Sequence, residues 1–212
     1  MRKTVIKSGF GEVVEKKSRF LGELHHISSA DEAKELVAAA KKKYYDARHH
    51  CYAYLMGEDG GIKKYGDDGE PQGTAGLPML AVLEGNELTD CVVIVTRYFG
   101  GTLLGTGGLV RAYSAAAEAA IADASFAVKI PAVKLSVKTD YRNEGAVRRL
   151  CENTADRGVS IGIEGVDYAE GCDIIINVET AEAEALEKNL TEALSGQVTA
   201  ERLTDFFMMK EV

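Results

Sequence analysis

Apolar and polar residues alternate with a period of two over residues 48–56 (RHHCYAYLM), while residues 91–98 (CVVIVTRY) are almost continuously apolar. The first pattern predicts a half-buried strand and the second a fully buried one. The opening VIKSGFGEVV, interrupted at Gly9 and Gly11, and the stretch Arg19–Ile27 read as two more strands, joined as a hairpin through the charged turn Glu15–Ser18. A helical period then takes over: Ala30, Ala33, Leu36, Val37 and Ala40 share one face, Ser29 and Glu32 form a capping box, and Lys41–Lys43 occupy the last turn. Leu109, Ala112, Tyr113, Ala116, Ala120 and Ile121 form the stripe of a second helix, over about residues 107–124.

From residue 132 the pattern reads strand (132–139), helix (about 141–156), strands (about 159–166 and 170–179), helix (181–194) and strand (about 197–209). The order βαββαβ is that of a ferredoxin-like domain. Its first strand presents Val133, Leu135 and Val137 to the core and Lys134, Ser136 and Lys138 to the outside. Pro131, in FAVKIPA, predicts a short hinge, so the chain divides into domains 1–130 and 131–212 of α+β class.

A chain of 212 residues suits two modest domains, and its mixed charges give no sign of disorder. No run of about 18 apolar residues appears and the start lacks the apolar core of a signal peptide, which predicts a soluble cytoplasmic protein without a membrane partner. Cys51, Cys91, Cys151 and Cys172 are far apart and read as reduced, buried thiols. His25-His26 and His49-His50 are strand neighbours pointing to opposite faces, so neither pair chelates one metal. The net charge of −8 is uneven: residues 1–130 hold 16 Lys/Arg against 17 Asp/Glu, and residues 131–212 hold 9 against 16. A phosphate-rich partner therefore suits the first domain, and the acidic second domain suits protein docking.

Of 22 glycines, 13 fall within residues 57–108, and three segments there offer chemistry. YGDDGEPQGTAGLP (65–78) sets Asp67, Asp68 and Glu70 among glycines, a loop able to hold a divalent cation such as Mg2+ or to pair with arginines; a solvated turn explains the same residues. In TRYFGG (96–101), Arg97 follows Val93 and Val95 on one strand face and needs a partner, either a ligand or one of those carboxylates. In LLGTGGLVRAY (103–113), a glycine turn feeds a helix start, an anion site to which Arg111 adds charge. The dinucleotide and P-loop spacings are absent. His50, next to this loop system, is a candidate acid or base, although most such histidines are packed.

YGDDGEPQGTAGLP and VIVTRYFGGTLLGTGGLVRAY, with SRFLGEL and ARHHCYAY before them, resemble the signature of the Impact family, bacterial YigZ-type members included. The resemblance implies a first domain with the fold of ribosomal protein S5 domain 2, a small sheet backed by two helices, and a ferredoxin-like second domain similar to the last domain of the translocating elongation factor. It also implies translation control, since eukaryotic relatives act in the amino-acid starvation pathway through a protein partner. Asp67, Asp68, Glu70, Gly73, Thr74, Arg97, Tyr98, Gly100, Gly101, Gly105, Gly107, Gly108 and Arg111 match the family's motif and, with His50, form the expected ligand- or RNA-binding patch.

The leading expectation is a translation-associated factor binding RNA or the ribosome through residues 66–111, with Arg48, Lys63 and Lys64 nearby. The alternatives are an enzyme or sensor for a small phosphorylated ligand or nucleotide, with Mg2+ at Asp67, Asp68 and Glu70, and a protein-docking role for the acidic domain with the patch purely structural.

Overall fold

Two lysines reverse the chain between β2 (Gly9–Glu15) and β3 (Ser18–His26). Glu15 pairs with Ser18, and Lys16 and Lys17, at φ 46° and 65°, form the two-residue turn of the expected hairpin. The computed structural model describes residues 2–169 and 171–212, and the chain divides into two units, Met1–Val128 with Glu211–Val212, and Lys129–Lys210.

In the first unit β3 pairs with β6 (Cys91–Tyr98), β6 with β4 (His49–Met56) and β4 with β5 (Ile62–Gly66), giving an antiparallel sheet in the order β2-β3-β6-β4-β5. The central β6 is covered on both faces, which accounts for its unbroken apolar run. Val93 and Val95 pack with Met79, Leu83 and Ala116 in one core, formed with α2 (Gly76–Gly85) and α3 (Thr106–Asp123). Val92 and Ile94 pack in a second, with Ala33 and Ala40 of α1 (Ala30–Lys43). Ser29 Oγ accepts the N–H of Glu32 at 3.1 Å, and the Glu32 carboxylate accepts that of Ser28 at 2.7 Å, so α1 starts where its sequence predicts.

The break read at Gly9 and Gly11 reflects close packing. A Cβ on Gly22 would lie 2.3 Å from the carbonyl oxygen of Ala116, and one on Gly11 2.5 Å from the Ala119 Cβ, so α3 rests directly on the backbone of β2 and β3. The helix α2 departs from the sequence pattern, which reads as turn throughout 65–78 and predicts two helices in this domain. GLPMLAVLEG has no polar face to reveal a period of 3.6, because Gly76, Met79, Leu80 and Leu83 are buried and its flanks carry glycine and proline.

The second unit has the strand order β10-β7-β9-β8, from β7 (Ser125–Thr139), β8 (Ile161–Asp167), β9 (Cys172–Glu179) and β10 (Val198–Glu211), with α4 (Glu144–Ala155) and α5 (Thr180–Ala193). Val133, Leu135 and Val137 meet Ile174, Ile176, Val147 and Leu186 in its core, the ferredoxin-like arrangement. Residue 170, the first of the expected 170–179 strand, lies outside the described residues.

Two details differ from expectation. The segment FAVKIPA is continuous strand: Ser125–Val128 pair with β1 (Lys3–Lys7) and residues 132–139 with β9, so Pro131, which has no N–H to donate, falls between the two ladders. Ser136 is buried, donating to Asp173 Oδ1 at 2.6 Å, and Lys134 is tied to Glu164 at 2.6 Å.

Candidate functional site

A loop over residues 67–75 joins β5 to α2, and Asp67, its first residue, closes the helix start from within. Its carboxylate accepts the N–H groups of Gly73 (2.8 Å), Ala75 (3.1 Å) and Gly76 (2.8 Å), occupying the place an external anion would take. Asp68 faces elsewhere. One oxygen accepts from Lys41 at 2.6 Å and the other from the His50 N–H at 2.8 Å; burial opposes this charge, but the two donors hold its carboxyl below the usual carboxylate range.

Glu70 turns inward. Its Oε1 lies 2.6 Å from the Arg97 guanidinium and accepts the Tyr113 hydroxyl at 2.8 Å, with all three residues buried. Burial, with Cys51 and Glu70 nearby, raises the Tyr113 phenol far above its ordinary value, which keeps it a donor. The Arg97 guanidinium lies over the rings of Phe20 and Phe99, at 5.3 and 5.6 Å. Ser18 Oγ faces Arg97 at 3.5 Å and accepts the Gly100 N–H at 3.1 Å. Of the two partners the sequence offered Arg97, the carboxylate is the one present, and it is Glu70.

The three carboxylates therefore do not converge, and among the described residues no group of three or more His, Cys, Asp or Glu is placed to hold a metal ion. Thr74 is also spent internally, donating to the Pro71 carbonyl at 2.6 Å. His50 is buried, with Nε2 3.1 Å from the Tyr44 carbonyl and Nδ1 3.7 Å from Asp68. Tyr98 donates its hydroxyl to Asp46 at 2.8 Å. Lys63 and Lys64 lie on the edge strand β5, where Lys63 pairs with Glu84. All four cysteines are buried and unpaired, and burial pushes the thiols of Cys51 and Cys91 up to about 12.

The start of α3 is built differently from that of α2. Gly105, at φ 72°, is its N-cap, no side chain caps it, and the first turn carries no acid. Thr106, Gly107 and Gly108 therefore present backbone N–H groups without internal partners. The guanidinium of Arg111 folds back over this turn, 3.7 Å from where a Cβ on Gly107 would sit, and has no ion-pair partner among the described residues. Gly101 and Gly105 take positive φ in open space, shaping the loop that leads to the helix.

Register brings further charges to the same end of the sheet. Arg19 pairs with Tyr98 and His49 with Arg97, so the Lys16–Lys17 turn, Arg48, Phe99–Gly101 and the α3 start gather there. A Cβ on Gly100 would lie 2.0 Å from the carbonyl carbon of Lys17, which fixes how closely the two loops touch. Lys16, Lys17, Arg48 and Arg111 are exposed and unpaired among the described residues. Of the acids here, Glu12, Asp46, Asp68 and Glu70 are each held by a donor, and Glu15 is not. A cavity of about 480 Å³ opens between Arg48, Arg97, Phe99, Leu103 and Thr106. The patch expected at 66–111 contains Phe99 and Leu103 without singling them out and leaves out Lys16 and Lys17, whose signal in the sequence is their place in the charged turn Glu15–Ser18.

Among the described residues no helix is long and apolar enough to cross a membrane. Residues 16–121 match the model of the Impact N-terminal domain, and residues 137–197 match a domain of unknown function, DUF1949. The chain is 37% identical over 194 residues to the Bacillus subtilis protein named IMPACT family member YvyE, covering 92% of this chain and 87% of that one. It is 39% identical over 137 residues to the Escherichia coli IMPACT family member YigZ, covering 64% and 67% respectively. A crystal structure of a hypothetical protein, 29% identical, superposes with a TM-score of 0.58 over 96% of this chain and 98% of that one.

Proposed function

The chain belongs to the Impact family, and on that premise we propose that it is a translation-associated factor that grips RNA with one end of its first sheet. The translation setting rests on what the family resemblance implies; the RNA contact rests on geometry. The observation that carries it is the contrast between two helix starts: α2 is closed by Asp67, whereas α3 is open and flanked by Arg111 and Arg48, both unpaired among the described residues. Uncapped N–H groups and arginines are phosphate-directed groups. Lys16 and Lys17 extend the positive surface past the cavity, which suits a polymer of phosphates better than a single small phosphorylated ligand. Arg97, given its buried pairing with Glu70, holds the floor and is not a phosphate contact.

Titration of short RNAs and ribosomes at several salt concentrations tests this. Arg111→Ala and Arg48→Ala each weaken binding and lower the slope of log affinity against log salt by about 0.7 for a single strand. Undetectable binding at low salt overturns the proposal.

A further inference from the structure

The cavity beside the α3 start is more apolar than a phosphate track requires. Phe99 is 48% exposed and Leu103 83% exposed, both line it, and Leu104 and Leu109 form its inner wall. Its volume, about 480 Å³, falls in the range of pockets that enclose small organic molecules. Beneath that wall Arg97 is buried, and among the described residues its Nε–H has no hydrogen-bond partner. His49 lines the same space, with Nδ1 2.9 Å from the Asp68 carbonyl and Nε2 4.0 Å from Glu70 Oε1. An aromatic face and an aliphatic wall, rimmed by phosphate-directed groups, suit a nucleobase attached to its phosphate.

We propose that this cavity takes one unstacked base of a single-stranded RNA, lying against Phe99 and Leu103 while the neighbouring phosphate meets the α3 start, Arg48 and Arg111. This rests on the RNA reading above and adds to it a preference for single strands. A base paired and stacked within a duplex is not free to enter, whereas the unstacked bases of a single strand are. The phosphate contacts alone do not distinguish the two forms.

The full chain is titrated at one salt concentration with a short single-stranded oligoribonucleotide and with the blunt duplex of the same sequence. Wild type, Phe99→Ala and Leu103→Ser are compared, with circular dichroism establishing that each variant is folded. Wild type should prefer the single strand by about tenfold or more, and Phe99→Ala should weaken the single strand roughly 5- to 100-fold, the effect of losing one stacked base, with duplex affinity and salt slope unchanged. Leu103→Ser should act in the same direction by a smaller factor. Equal affinity for both forms, or unchanged single-strand affinity in both variants, overturns the base pocket while leaving salt-dependent RNA binding in place. Loss of all RNA binding by wild type would instead remove the reading on which the pocket rests, and the pocket with it.

Discussion

The guanidinium of Arg97 and the carboxylate of Glu70 meet at 2.6 Å inside the first core, each almost wholly removed from water. A buried pair of this kind adds little net stability over a well-packed apolar pair, but removing one partner strands the other. Glu70→Ala should cost about 3–5 kcal/mol in chemical denaturation, because Arg97 and the Tyr113 hydroxyl both lose their acceptor. The double variant Glu70→Gln, Arg97→Met should cost less than the two single changes added together. Strict additivity would show that the pair is not coupled.

The Asp67 carboxylate holds the start of α2 and the loop that leads into it. Asp67→Ala leaves the N–H groups of Gly73, Ala75 and Gly76 without their acceptor and should lower stability by about 2–3 kcal/mol. If Asp67 instead served a ligand, the unliganded protein would melt unchanged.

Two glycines of the family motif should respond differently to alanine. At Gly100 the added Cβ would lie 2.0 Å from the Lys17 backbone, so Gly100→Ala should cost more than about 3 kcal/mol or prevent folding. At Gly73 nothing lies within 4 Å and only the backbone at φ 74° objects, so Gly73→Ala should cost about 1–2 kcal/mol. Thermal melts of the two variants measure the difference between steric and conformational demand.

Burial opposes the charge on Glu23, yet the His25 ring 3.7 Å away and hydrogen bonds from Lys43 and Tyr44 bring its carboxyl from 4.5 down to about 2. With the folded value below the unfolded one, this stabilisation is complete above about pH 4.5 and is lost as pH falls towards 2. Its size is on the order of 3 kcal/mol. Glu23→Gln should flatten the dependence of stability on pH across that interval, measured by urea denaturation.

Much of this was legible in the chain. The apolar stripe from Leu109 to Ile121 and the run Cys91–Tyr98 announce α3 and β6 because each has one dominant environment. The signal failed where environment and pattern part company. α2 is apolar all round, so periodicity is silent there. Asp67, Asp68 and Glu70 are near neighbours in sequence, which suggested one shared ligand, but a turn with Asp68 at φ 42° sends them to three separate destinations. Lys16 and Lys17 lie more than eighty residues from Gly100, and only the pairing of β3 with β6 brings the two loops together.

Those two lysines occupy a reversal whose backbone strongly favours Asn-Gly, since both central residues take positive φ. Each non-glycine residue there gives up about 1–2 kcal/mol. Replacing them with Asn-Gly should raise the melting temperature while weakening RNA affinity. Selection for thermal robustness alone would move this tip towards Asn-Gly, so at this one turn the chain exchanges melting temperature for charge.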